Sequence, residues 1–244
     1  MPFIDPKEYD AALTALDTYC REGCAANIPA VKTVFHEKAV MNGCGGGEPP
    51  VFGPVEALYE LFRQVGPTEG TYRVDVLDIT EATALGRCVI QGWHGNDFVD
   101  YHEMMKVDGR WLIVAKVYCQ LDGAYPFLTA DYGGVRDVLE TYARESLAAD
   151  EAAVRPLFHE KAVMNGTGLG APVFGSIEAL YELFRQYGPA QGGSYHADVL
   201  DIAGDTAVGR VVMKNCHGVD YVDYHELMRV DGRWKILAKL YQAL

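Results

Sequence analysis

Basic residues are scarce in this 244-residue chain: 21 Lys and Arg stand against 34 Asp and Glu, a formal net charge of -13. The deficit is spread along the sequence with no block of like charge, so neither nucleic acid nor an anionic membrane surface is an expected partner. Long apolar runs are missing as well. No stretch approaches the roughly 18 apolar residues of a membrane span, and the opening MPFIDPKEYD lacks the basic start and apolar run of a secretory signal, so a cytoplasmic location is expected. Cysteine is unevenly placed: Cys20, Cys24, Cys44, Cys88 and Cys119 fall in the first half and only Cys216 in the second. The halves therefore share no disulfide framework, and Cys20 with Cys24 has helical rather than metal-site spacing, so reduced thiols and no metal are expected. The glycine-rich GCGGGEPP lacks the strand-then-helix context of a phosphate loop and reads as a rim loop, its glycines thinning out in the later GTGLGAP.

What the chain does have is a repeat. FHEKAVMNG runs from Phe35 to Gly43 and returns from Phe158 to Gly166. EALYELFRQ from Glu56 recurs from Glu178, DVLDI from Asp75 recurs from Asp198, VDYHE from Val99 recurs from Val222, and VDGRW from Val107 recurs from Val230. A period of about 123 residues means duplicated domains rather than a solenoid. The boundaries read as 1–121 and 129–244, joined by DGAYPFL, and at 49% hydrophobic residues the chain can fill two cores of ordinary size.

Within a copy, Tyr9, Ala12, Leu16 and Tyr19, matched by Tyr132, Val135, Leu139 and Tyr142, form an apolar stripe at helical spacing. A short second helix starts at the N-cap candidates Asn27 and Asp150. A third carries Leu58, Leu61 and Phe62 and stops at Gly66-Pro67, as its counterpart stops at Gly188-Pro189. Three helices thus precede the strands. From Tyr72 to Tyr118 the pattern turns to Val, Ile and aromatics, with turns at WHGND and at Asp108-Gly109, a strong hairpin signal. Helices followed by an antiparallel meander predict an α+β fold for each copy.

These copies resemble the nuclear transport factor 2-like superfamily, in which a curved sheet wraps three helices into a cone with an internal pocket. FHEKAVMNG with DYHEMMKVDGRWLIVAKVY is most similar to its lumazine-binding branch. TYCREGCAANIPAVKTVFHEKAV and PPVFGPVEALYELFRQ resemble the layout of the SnoaL-like and ketosteroid isomerase-like branches. The resemblance implies pairing through outer sheet faces, which two fused copies can satisfy as an intrachain pseudo-dimer of about 27 kDa, with further self-association open.

Alternation along the third strand of the meander puts Val99, Tyr101, Glu103, Met105 and Val107 on one face and Asp100, His102, Met104 and Lys106 on the other. The second copy repeats this, with Val222, Tyr224, Glu226, Met228 and Val230 opposite Asp223, His225, Leu227 and Arg229. The apolar row is expected to face the pocket and the mixed row to face outward. Lys116, Lys235 and Lys239 are expected outside as well, and His102 and His225 in a polar contact between copies. His36 and His159 are expected to cap or flank the second helix, and His94 and His217 to be exposed turn residues.

Tyr19 and Tyr142 close the helical stripes. The ketosteroid isomerase resemblance puts a Tyr there as well, and an Asp held protonated where Glu103 stands, so Tyr19 with Glu103 and Tyr142 with Glu226 are the catalytic candidates, forming an oxyanion hole. The isomerase's general base aligns with Gly43 and Gly166, which move no proton. Candidate ligand contacts are Asn42, Tyr101, Met105, Asn165, Tyr224 and Met228. The expected function is a cofactor-independent isomerase, dehydratase or cyclase acting on an apolar carbonyl or hydroxy compound. The alternatives are a binding protein for a flat apolar ligand, pteridine- or flavin-like, and a protein-interaction module. A buried Glu paired with a cation, and a Tyr that is only core, are the competing readings of the same residues.

Overall fold

Asp5 opens the first helix by accepting from the Lys7 backbone N–H at 3.0 Å, with Pro6 in the first turn where its missing N–H costs nothing. The computed structural model describes residues 4–121 and 129–244; the DGAYPFL connection lies outside them. The chain divides into two compact units, Met1–Tyr125 and Pro126–Leu244.

In the first unit α1 (Pro6–Cys24), α2 (Ile28–Lys32) and α3 (Glu56–Val65) accompany β1 (Phe35–Gly45), β2 (Glu48–Pro54), β3 (Thr71–Ile79), β4 (Thr83–Trp93), β5 (Asn96–Val107) and β6 (Arg110–Leu121). The second unit repeats the series as α4 (Thr129–Leu147), α5 (Glu151–Val154) and α6 (Glu178–Tyr187), with strands β7 (Phe158–Thr167), β8 (Val173–Ser176), β9 (Ser194–Ala203), β10 (Thr206–Cys216), β11 (Val219–Val230) and β12 (Arg233–Ala243). Each unit holds one six-stranded sheet, ordered β2-β1-β6-β5-β4-β3 and β8-β7-β12-β11-β10-β9. The fold is α+β in each copy. Neighbouring strands are antiparallel except for β1 with β6 and β7 with β12.

The helices fall where the sequence places them, but they are not consecutive: β1 and β2 separate α2 from α3. FHEKAVMNG is a strand, so His36 and His159 sit at strand starts and not at the end of a helix. Phe35 and Ala39 are both buried, an i, i+4 spacing that imitates a helix because the register shifts between Phe35 and Val40. The glycine-rich segment closes the β1–β2 hairpin. Asp108-Gly109 and Asp231-Gly232 take positive φ at both turn positions, as a tight two-residue hairpin demands.

Helix α1 buries Ala12, Leu16, Tyr19 and Cys20 across β3, β4 and β6. Its close approach depends on Gly86, where a Cβ would stand 2.6 Å from Leu16 Cδ1; Gly209 serves Leu139 in the second copy in the same way. The six cysteines are free thiols. Among the described residues, no helix is long and apolar enough to cross a membrane.

Candidate functional site

The two faces of β5 are the reverse of the sequence expectation. Tyr19 donates its hydroxyl hydrogen to Asp100 Oδ2 at 2.7 Å, the His102 ring lies edge-on to Tyr19 with centroids 4.9 Å apart, and Met104 belongs to the core beneath α1. The mixed row, not the apolar row, faces the helices. Its charges are tolerated because they are paired: Lys116 Nζ lies 2.9 Å from Asp100 Oδ2, with the two side chains 4% and 2% exposed. Lys116 and Lys239 are therefore inside rather than outside, and His102 and His225 pack against the tyrosine of their own unit. The second copy repeats the arrangement, with Tyr142 donating to Asp223 Oδ2 at 2.7 Å and Lys239 3.0 Å from the same oxygen.

Register explains the clustering. His102 pairs across the hairpin with Lys116, and Asp100 with Tyr118, so all four side chains project to one face. Lys116 Nζ then lies 4.5 Å from the centroid of the Tyr118 ring, and Lys239 lies 4.7 Å from that of Tyr241. Gly43 makes the ring's position possible, since a Cβ there would come within 2.1 Å of Tyr118 Cε1.

This group forms the inner wall of a cavity of about 670 Å³ lined by Tyr19, Asp100, Lys116 and Tyr118 together with Phe62 and Trp93. In the second copy Tyr142, Asp223, Lys239 and Tyr241 line a cavity of about 450 Å³. Burial, then Asp100, holds the Tyr19 phenol well above its ordinary pKa, and burial followed by Asp223 does the same to Tyr142. Burial, then the neighbouring lysine, holds His102 and His225 well below theirs, so both rings are neutral. Tyr118 is pushed up to about 12, first by burial and then by Asp100. Both Tyr19 and Lys116 direct a donor at Asp100 Oδ2, while Asp100 Oδ1 is buried with no hydrogen-bond partner among the described residues. The wall thus offers an ammonium donor beside a carboxylate acceptor.

Of the residues singled out from sequence, Tyr19 and Tyr142 line the cavities. Glu103, Tyr101 and Met105, with Glu226, Tyr224 and Met228, are buried on the opposite face of their strands, so Tyr19 does not converge with Glu103 nor Tyr142 with Glu226. Asn42 and Asn165 also point away, because Met41 and Gly43 on either side of Asn42 face the cavity wall. His217 lines the second cavity and, like His94, sits in a turn with positive φ and a ring nitrogen 3.1 Å from a backbone carbonyl oxygen. Sequence reasoning missed Asp100, Lys116 and Tyr118 with Asp223, Lys239 and Tyr241. Their signal was the hairpin register, which sets the acid and the lysine two rungs apart. No group of three or more His, Cys, Asp or Glu among the described residues is placed to hold a metal ion.

Among curated proteins, none matches this chain. Solved structures similar to it include an NTF2-like protein of unknown function from Shewanella baltica OS155, at 23% identity over 49% of this chain and 98% of that one, with a TM-score of 0.46. Another from Methylobacillus flagellatus KT is 26% identical over 48% of this chain and 95% of its own, also at a TM-score of 0.46. A ketosteroid isomerase-like protein from Erwinia carotovora atroseptica SCRI1043 is 19% identical over 49% and 100%, at 0.40. One family model matches twice, over residues 7–119 and again over 130–242. The chain therefore belongs to the family described as "Putative lumazine-binding" and carries two copies of its domain in tandem.

Proposed function

We propose that each copy binds a small flat heterocycle through an amide-like edge, of the kind a pteridine-2,4-dione presents. The observation that carries this is the ammonium of Lys116 beside the carboxylate of Asp100 on the wall of a largely apolar, aromatic cavity. A ring carbonyl accepts from Lys116 while the adjacent ring N–H donates to Asp100 Oδ1, and Tyr118, Phe62 and Trp93 supply apolar and aromatic surface for the flat face. Cavities of about 670 and 450 Å³ lie within the ~300–1,000 Å³ usual for small-molecule sites. The description of the family as lumazine-binding supports this ligand class. Calorimetric titration with pteridine-2,4-dione, followed in parallel by fluorescence of the cavity residue Trp93, is expected to give saturable binding at two sites per chain. Heat and fluorescence that stay flat with this probe and with a flavin would overturn the reading.

A second reading is an isomerase or dehydratase. The Tyr19 hydroxyl and the Lys116 ammonium meet at Asp100 Oδ2, and a carbonyl bound at this wall would be polarised by a remaining hydrogen of the Lys116 ammonium. The work then falls on Tyr19, Asp100 and Lys116, since Glu103 faces away. Turnover of an enone, epoxide or hydroxyketone, reduced by Tyr19→Phe with Tyr142→Phe, would favour it over binding alone.

A further inference from the structure

The two cavities share a frame but differ in kind at one position of the first helix of each copy. Gly23 lines the first cavity and Ser146 takes its place in the second. At Gly23 there is little room: a Cβ would stand 3.1 Å from Cζ of the buried Phe62. The corresponding Phe184 is only half-buried.

Ser146 is 8% exposed and lines the cavity, and among the described residues its Oγ has no hydrogen-bond partner. A helical serine ordinarily returns its proton to the carbonyl four residues back, and Ser146 does not. Buried hydroxyls are as a rule hydrogen-bonded, so an unpartnered one on a cavity wall marks a place for a ligand atom. It stands one turn from Tyr142 on the same helix face. Four further exchanges separate the residues that line both cavities, Ile90 for Met213, Trp93 for Cys216, Asn96 for Val219 and Phe98 for Tyr221, and the second cavity is the smaller, about 450 against 670 Å³.

We propose that the two copies take different ligands, and that Ser146 sets the choice of the second by engaging a hydroxyl or carbonyl group about one helical turn from the end held by Asp223 and Lys239. The inference rests on the ligand class proposed above. It names a more heavily oxygenated and smaller heterocycle for the second copy and a larger one without that group for the first.

Methyl NMR of the full chain with labelled methionine reads the two sites separately, because Met41 lines the first cavity and Met164 the second. The probes are pteridine-2,4-dione and its 6-hydroxy and 7-hydroxy derivatives. In titrations followed at Met164 one hydroxylated probe is expected to bind roughly five-fold more tightly than the parent, the worth of one neutral hydrogen bond. Ser146→Ala and Ser146→Gly should each abolish that preference, while titrations followed at Met41 should not change. A preference that survives both substitutions, equal affinities for the three probes at Met164, or response at Met41 alone would overturn the inference and leave ligand binding standing. Silence at both methyls would instead remove the binding reading, and this inference with it.

Discussion

Replacing Lys116 by methionine keeps the length of the side chain and removes its charge, leaving Asp100 buried with only the Tyr19 hydroxyl as a polar partner. With 2.9 Å between Nζ and Oδ2 and both side chains under 5% exposed, Coulomb attraction at an effective dielectric near 20 is roughly 6 kcal/mol. Much of that only offsets the desolvation of both ions, so the pair is worth less than this in net terms. Breaking it from one side is another matter. The stranded carboxylate keeps its desolvation cost without its cation, and the expected loss is about 3–5 kcal/mol. Against a domain stability of about 5–15 kcal/mol, that is a large fraction. Asp100→Asn should cost the same order in reverse. The double variant should cost clearly less than the sum of the two, giving a coupling of roughly 2 kcal/mol or more.

Urea denaturation followed by tryptophan fluorescence is suited to this test, since Trp93 and Trp111 belong to the first unit and only Trp234 to the second. A Lys116→Met loss under about 1 kcal/mol, with additive single variants, would mean that the pair behaves like a solvated surface pair, and the account of the inner wall would fail.

Three further outcomes follow from the same geometry. Gly43→Ala should drive its new methyl into the Tyr118 ring and cost about 1–3 kcal/mol, with a shift of the Met41 methyl signal; an unchanged melting temperature and spectrum would show the ring free to move. Tyr118, Tyr59 and Tyr72 are held up to about 12 and Tyr19 well above its ordinary value, chiefly by burial, so ultraviolet titration should find tyrosines that stay neutral beyond pH 10. Because a raised folded pKa favours the native state below the unfolded value, their contribution should be intact below about pH 10 and fade toward pH 12; uniform ionisation near 10 would contradict it. His102 and His225 have the opposite sign: burial first and then lysine depress them, so their stabilisation should be present above about pH 6.5 and be lost as pH falls below it. Ring proton shifts of these two histidines that titrate normally near pH 6.5 would refute it.

The fold was largely legible because helix stripes, caps and hairpin turns are local signals. Asn27 and Asp150 do precede the short helices, and Asp108-Gly109 does turn the last hairpin. The first strand was not legible, because its irregular register buries Phe35 and Ala39 at a helical interval. The site failed for a different reason. Alternation on β5 was read correctly as two rows, but choosing between them by polarity assumed that charge faces water. That rule holds for single residues and breaks for pairs: Asp100 and Lys116 lie on different strands, and neither row alone shows that each neutralises the other. Tyr19 and Tyr142 were legible because they sit on helical stripes, where burial does not depend on a partner elsewhere.

Gly43 carries the last step. In the resemblance to ketosteroid isomerases this is where a proton-moving carboxylate belongs, and its absence from sequence alone reads simply as a missing group. The structure gives the absence a geometric cause: the Tyr118 ring occupies the space into which any side chain at position 43 would project, with the nearest ring carbon 2.1 Å from the site of a Cβ. A base at 43 and this ring placement are mutually exclusive. Gly166 and Tyr241 stand in the same relation, with 2.2 Å in place of 2.1 Å. The ring that displaces the base also lies against the lysine ammonium, 4.5 Å away in one copy and 4.7 Å in the other. Each copy therefore has, at the position where the resemblance would place a base, an aromatic wall that lies against a buried cation. An aromatic wall with no base at position 43 or 166 suits the binding reading proposed above better than one that needs a proton moved there.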